Sequence, residues 1–97
     1  MSICILDLIE KHISVFARFS KVYLFGSTII QEGTSNDLDL LLIYEVYSDD
    51  LMTECKRIRT ELSKLAGLPI DITALSMEEV VETNFLKRLH NKYIQVK

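Results

Sequence analysis

Near the start of the chain Ile3, Leu6, Ile9, Ile13, Phe16 and Ala17 recur at three- and four-residue steps, with Glu10, Lys11, His12 and Arg18 between them. That spacing predicts an amphipathic helix over Ser2 to Arg18. The pattern then changes period. Val22 to Phe25 is a short β-rich run that ends at Gly26-Ser27, and a polar stretch from Gln31 to Asn36 leads into Asp37 to Tyr44, which is apolar almost throughout. A nearly unbroken apolar run of this length is expected of a central strand, covered on both faces. Leu51, Cys55, Ile58, Leu62 and Leu65 return to helical spacing, with Ser48 or Asp49 placed to cap the start and Gly67 with Pro69 to stop the end. Ile70 to Leu75 reads as a third strand. Ser76-Met77-Glu78-Glu79 carries an S-x-x-E capping box that opens a helix through Val80, Val81, Phe85 and Leu89, and Tyr93 to Val96 suits a short edge strand. The order is helix, strand, strand, helix, strand, helix and a final short strand. It predicts an α+β, α/β-like domain with a small mixed β-sheet flanked by helices.

Composition narrows this picture. The 97 residues suit one domain, spanning 1–97, and leave no room for a second domain to hold a substrate. With 48% hydrophobic and 26% charged residues, three Gly and one Pro, the chain is expected to pack a core. A net charge of -3 argues against nucleic acid as a partner. Cys4 and Cys55 lack metal-ligand or redox spacing and read as buried thiols; His12 and His90 stand among charged residues and read as surface positions. The N-terminal stretch lacks a basic leader, and no run reaches membrane-spanning length, so a cytoplasmic location is expected.

The chemistry concentrates in three places. On a strand, alternate side chains leave the same face, so Asp37 and Asp39 are expected side by side while Leu38 and Leu40 point the other way. Two adjacent carboxylates repel one another unless a cation lies between them, and oxygen-only ligands suit a hard ion such as Mg2+. Upstream, Gly26 permits close backbone approach and Ser27 supplies a hydroxyl at a strand end suited to phosphate. Downstream, Asp71 lies in the strand-like run Ile70-Asp71-Ile72. If that strand pairs beside Asp37 to Tyr44, Asp71 completes a cluster of three carboxylates, enough for two metal ions and in-line nucleotidyl transfer.

The segment from Leu24 to Ile43, with Gly26-Ser27, nine intervening residues, Asp37-Leu38-Asp39 and then apolar residues, resembles the signature of the polymerase-β-like nucleotidyltransferase superfamily. Taken over essentially its whole length, the chain resembles the small bacterial minimal nucleotidyltransferases of that superfamily. The resemblance implies a polymerase-β palm-like fold in which Ser27 contacts the triphosphate, Asp37 and Asp39 bind both metals and Asp71 is the third carboxylate. It implies two Mg2+ ions, with Mn2+ as a substitute, and transfer of a nucleoside monophosphate, AMP from ATP, to a hydroxyl on a partner. Small proteins of this kind are often encoded beside an all-helical HEPN protein, in pairs that resemble toxin–antitoxin modules. The chain departs from the pattern in one respect: many small members carry A-R-G shortly after the Gly-Ser, where this sequence has Ile29-Ile30-Gln31-Glu32-Gly33. Lys21 and Lys11 are the nearest replacement cations in sequence. The missing arginine keeps a second reading open, an inactive or weakly active module that neutralises its partner by complex formation, with homo- or hetero-oligomers equally open. A third reading is a structural subunit that dimerises through the Leu51 to Leu65 helix.

Overall fold

The computed structural model describes residues 5–25, 38–90 and 92–97. Its centre is a four-stranded mixed sheet: β1 (Lys21–Phe25), β2 (Leu38–Tyr44), β3 (Ile70–Ser76) and β4 (Tyr93–Gln95), in the spatial order β3-β2-β1-β4. β2 runs antiparallel to β1 and parallel to β3, and β4 lies antiparallel against the other edge of β1. Among the described residues the helices are α1 (Ile5–Lys11), α2 (Leu51–Ala66), α3 (Met77–Thr83) and α4 (Phe85–Arg88), with a 3-10 turn at Ile13–Phe16. A parallel β2–β3 pair needs a crossover, and α2 is that crossover.

The continuous apolar character of β2 follows from its burial on both faces. Leu38, Leu40 and Leu42 pack on one face with Val22, Leu24 and Ile70, under Ile9 and Phe16 and the α2 stripe Leu51, Cys55, Ile58 and Leu62. Leu41 and Ile43 face the other way with Tyr23, against Val80, Phe85 and Leu86 of α3 and α4. The result is a sheet between two helical layers, which matches the mixed-sheet expectation.

The N-terminal helix differs from its predicted extent. Within the described residues α1 stops at Lys11, and His12 leaves helical geometry at φ -109° before the chain tightens into the 3-10 turn. The His12 ring donates from Nδ1 to the Leu8 carbonyl at 2.9 Å, closing the end of α1. The apolar stripe continues through the break: Phe16 is buried in the core, and Ile13 and Val15 pack against the same cluster. Apolar spacing alone does not distinguish these two pitches. Cys4 lies outside the described residues, and Cys55 is buried with its thiol pKa pushed up by that burial.

α2 begins one residue later than its predicted caps. Asp50 is the N-cap, and its side chain makes no capping bond. It accepts instead from Ser48 Oγ at 2.6 Å and pairs with Arg18; these two partners, Ser48 first, hold its pKa below the usual carboxylate range. The helix ends as predicted at Gly67, whose φ of +73° is left-handed and whose N–H donates to the Ser63 carbonyl at 2.9 Å. Leu65, counted in the apolar stripe, stands 43% exposed on the last turn.

The capping box forms as written in the sequence. Ser76 Oγ accepts the Glu79 N–H at 3.1 Å, and Glu79 Oε1 accepts the Ser76 N–H at 3.0 Å. Such a cap contributes about 1 kcal/mol. The predicted helix through Leu89 is nevertheless broken, because Asn84 takes a left-handed φ of 54° and its N–H closes on the Val80 and Val81 carbonyls. Asparagine tolerates that conformation, and the bend sets Phe85 and Leu86 down on the sheet.

Candidate functional site

Register brings two of the expected carboxylates together. In the parallel β2–β3 pair Leu38 lies beside Ile70 and Asp39 beside Asp71. Leu38 and Ile70 are both buried in the same apolar cluster, so they fix the alignment; a slip of one residue would turn Asp71 into the core. The following residues, Asp39 and Asp71, therefore leave the opposite face from adjacent strands about 5 Å apart. Asp39 is half-buried and Asp71 exposed. The Leu38 N–H also donates to the Pro69 carbonyl at 2.9 Å, which extends the pairing by one step at this end.

β1 supplies the other side of the site. Phe25, its last residue, is the register partner of Asp39. Its ring meets Phe85 edge-on at a centroid distance of 5.5 Å, and Tyr23 meets Tyr93 in the same manner at 5.4 Å. Burial, and next the neighbouring Tyr93, push the Tyr23 pKa up. The carboxylates thus adjoin an apolar wall that sequence reasoning did not associate with them. Phe85 comes near only because the chain bends at Asn84, and helical periodicity carries no signal of that bend.

Gly26, Ser27 and Asp37 lie outside the described residues. Of the described strands, β1 ends at Phe25 and β2 begins at Leu38, and Phe25 is beside Asp39. The two lysines considered as replacement cations do not gather at this end of the sheet. Lys21 pairs with Ile43, four residues along β1 from Phe25, or about 13 Å. Lys11 belongs to α1, which packs on the other face of the sheet through Ile9.

Among the described residues no group of three or more His, Cys, Asp or Glu side chains is placed to hold a metal ion. The donor set of Asp39 and Asp71 is nonetheless the right kind for a hard divalent cation: two oxygen-bearing side chains, adjacent in register and on one face. Among the described residues no helix is long and apolar enough to cross a membrane.

Comparison with known proteins agrees with this architecture. The family model for the nucleotidyltransferase domain matches residues 9–96. The fold is similar to that in a crystal structure of the toxin–antitoxin complex MntA–HpeT carrying two Asp-to-Glu substitutions, with a TM-score of 0.64 and 12% identity over 98% of this chain and 73% of that one. It is also similar to that in a complex of the tri-AMPylated HEPN toxin of Shewanella oneidensis with its MNT antitoxin, at a TM-score of 0.58 and 14% identity over 95% of this chain and 71% of that one. A candidate nucleotidyltransferase from Sulfolobus solfataricus aligns at a TM-score of 0.53 and 18% identity, over 94% and 78% of the two chains. No curated protein matches the chain.

Proposed function

Because this chain belongs to the nucleotidyltransferase domain family, we propose that it transfers a nucleoside monophosphate, AMP from ATP, to a hydroxyl of a HEPN-type protein partner. The observation that carries the reading is the register of Asp39 beside Asp71 at the sheet end where β1 stops at Phe25. Asp37, Asp39 and Asp71 would hold two Mg2+ ions, with Mn2+ as a substitute. When bound, divalent ions supply the charge that lowers the pKa of the attacking hydroxyl and offsets the build-up on departing pyrophosphate.

The chain's own groups do the rest. Ser27 donates its hydroxyl to the triphosphate, and Gly26, without a Cβ, lets the backbone approach the phosphates. An oxygen of the partner forms a bond to the α-phosphorus as the bond to the bridging oxygen breaks and pyrophosphate leaves. The proton of the attacking hydroxyl passes to the Asp71 carboxylate, which is exposed and open to an acceptor. Phe25 and Phe85 shield one side of the reacting groups from water. The acceptor comes on another molecule, and the similar fold in a complex of MNT antitoxin with HEPN toxin supports a toxin–antitoxin setting. The test is the intact mass of a HEPN partner incubated with the chain, ATP and Mg2+. The reading predicts a gain of one or more AMP units; an unchanged mass with every nucleoside triphosphate and with Mn2+ refutes transfer.

One observation favours a second reading, a binding module that neutralises its partner without modifying it. The sequence lacks the arginine expected after Gly-Ser, and neither Lys21 nor Lys11 takes its place beside Asp39. Under that reading neutralisation survives loss of Asp39; under the first it does not.

A further inference from the structure

The far end of the sheet carries a second surface. β2 ends at Tyr44 and β3 at Ser76, each five residues, or about 17 Å, beyond Asp39 and Asp71. Two adjoining hollows of about 460 and 430 Å3 open there and share Met77 and Glu78. Their apolar lining is unusually open: Val81 is 75% exposed, Tyr47 61% and Met77 41%. Around these side chains stand Glu45, Glu78 and Glu82, and no lysine, arginine or histidine lines either hollow among the described residues. None of the three carboxylates joins an ion pair among the described residues. The floor is held in place, since Tyr44 donates its hydroxyl to Glu79 at 3.2 Å while Glu79 closes the capping box on Ser76.

Apolar surface ringed by unpaired carboxylates repels nucleic acid and anionic lipid and attracts a cationic apolar segment. We propose that this groove docks a basic amphipathic helix of a partner protein, which sets apolar side chains one turn apart into the two hollows and lysines or arginines against Glu45, Glu78 and Glu82. A partner held there leaves the Asp39 and Asp71 end open. The inference does not depend on nucleotidyl transfer, and its test leaves those two residues untouched.

The probe is a helical peptide of about 18 residues, long enough to hold its fold, with leucines along one face and lysines flanking them. A second peptide carries glutamates in place of the lysines. Binding to the full chain is followed by fluorescence anisotropy at low and high salt. The lysine peptide is expected to bind at least about tenfold more tightly than the glutamate peptide and to weaken with salt. Val81→Lys, and separately Tyr47→Ser in the connection after β2, should each weaken it about tenfold, with unchanged thermal unfolding showing that these exposed positions leave the fold intact. Glu78→Lys with Glu82→Lys should move the preference toward the glutamate peptide. Equal binding of the two peptides, or binding indifferent to the groove variants, overturns the proposal. So does light scattering that shows the variants dissociating a dimer, because the occupant is then a second copy of the chain.

Discussion

Replacing Asp39 with asparagine is expected to lower the rate of AMP transfer about a thousandfold, equivalent to ~4 kcal/mol of lost transition-state stabilisation. The change keeps the shape of the side chain and removes its charge. Asp39 lies on β2 between Phe25 and Asp71, and β2 is anchored from the other face by buried Leu38 and Leu40, so the strand should hold its place. Incorporation of labelled AMP into the partner measures the rate, and circular dichroism confirms that the fold persists. A loss of less than about tenfold would mean that the carboxylate is not at the reacting centre. If the variant still silences its partner, the binding-module reading takes over.

Leu40→Ala is expected to cost about 3 kcal/mol of stability. Leu40 is fully buried in the middle of β2, with Leu24 beside it on one strand and Ile72 on the other. Truncation removes favourable burial and leaves a void that flanking strands cannot close without breaking register. For a domain of this size the unfolding midpoint should fall by roughly 12–24 °C. Urea titration should show a lower midpoint with an unchanged slope. A cost below about 1 kcal/mol would indicate a core able to collapse around the missing methyl groups.

The elements that sequence made legible are those in which one signal dominates. β2 declared itself by an apolar run too continuous for a half-exposed strand, and it is indeed buried on both faces. The Ser76–Glu79 box and the Gly67 stop are local chemistry, readable without knowledge of the rest of the chain. The sequence sets a strand from Ile70 to Leu75, paired beside β2, as a condition, and the structure meets it in parallel register.

Misreadings arose where tertiary packing chose between local options. Ile13 and Phe16 fit an α-helical stripe and a 3-10 turn almost equally well, and burial of Phe16 is served by either. Asn84 looks unremarkable in sequence, yet its left-handed turn divides the last helix and brings Phe85 to Phe25. Lys21 is close to the Gly-Ser turn in sequence but sits at the other end of β1, since an extended strand covers distance quickly. For the candidate site, the types and spacing of Gly26, Ser27, Asp37 and Asp39 were legible as a motif. The aromatic wall beside Asp39 was not, because it is assembled from β1 and α4, far apart in the chain.

The central claim is that this end of the sheet binds a nucleoside triphosphate through divalent metal held by its aspartates. Calorimetric titration of ATP into the chain, with Mg2+ and then with chelator, tests it most directly. The account predicts saturable binding that disappears when the metal is removed and when Asp37 and Asp39 are both changed to asparagine. Binding that persists without metal, or in the double variant, would contradict it.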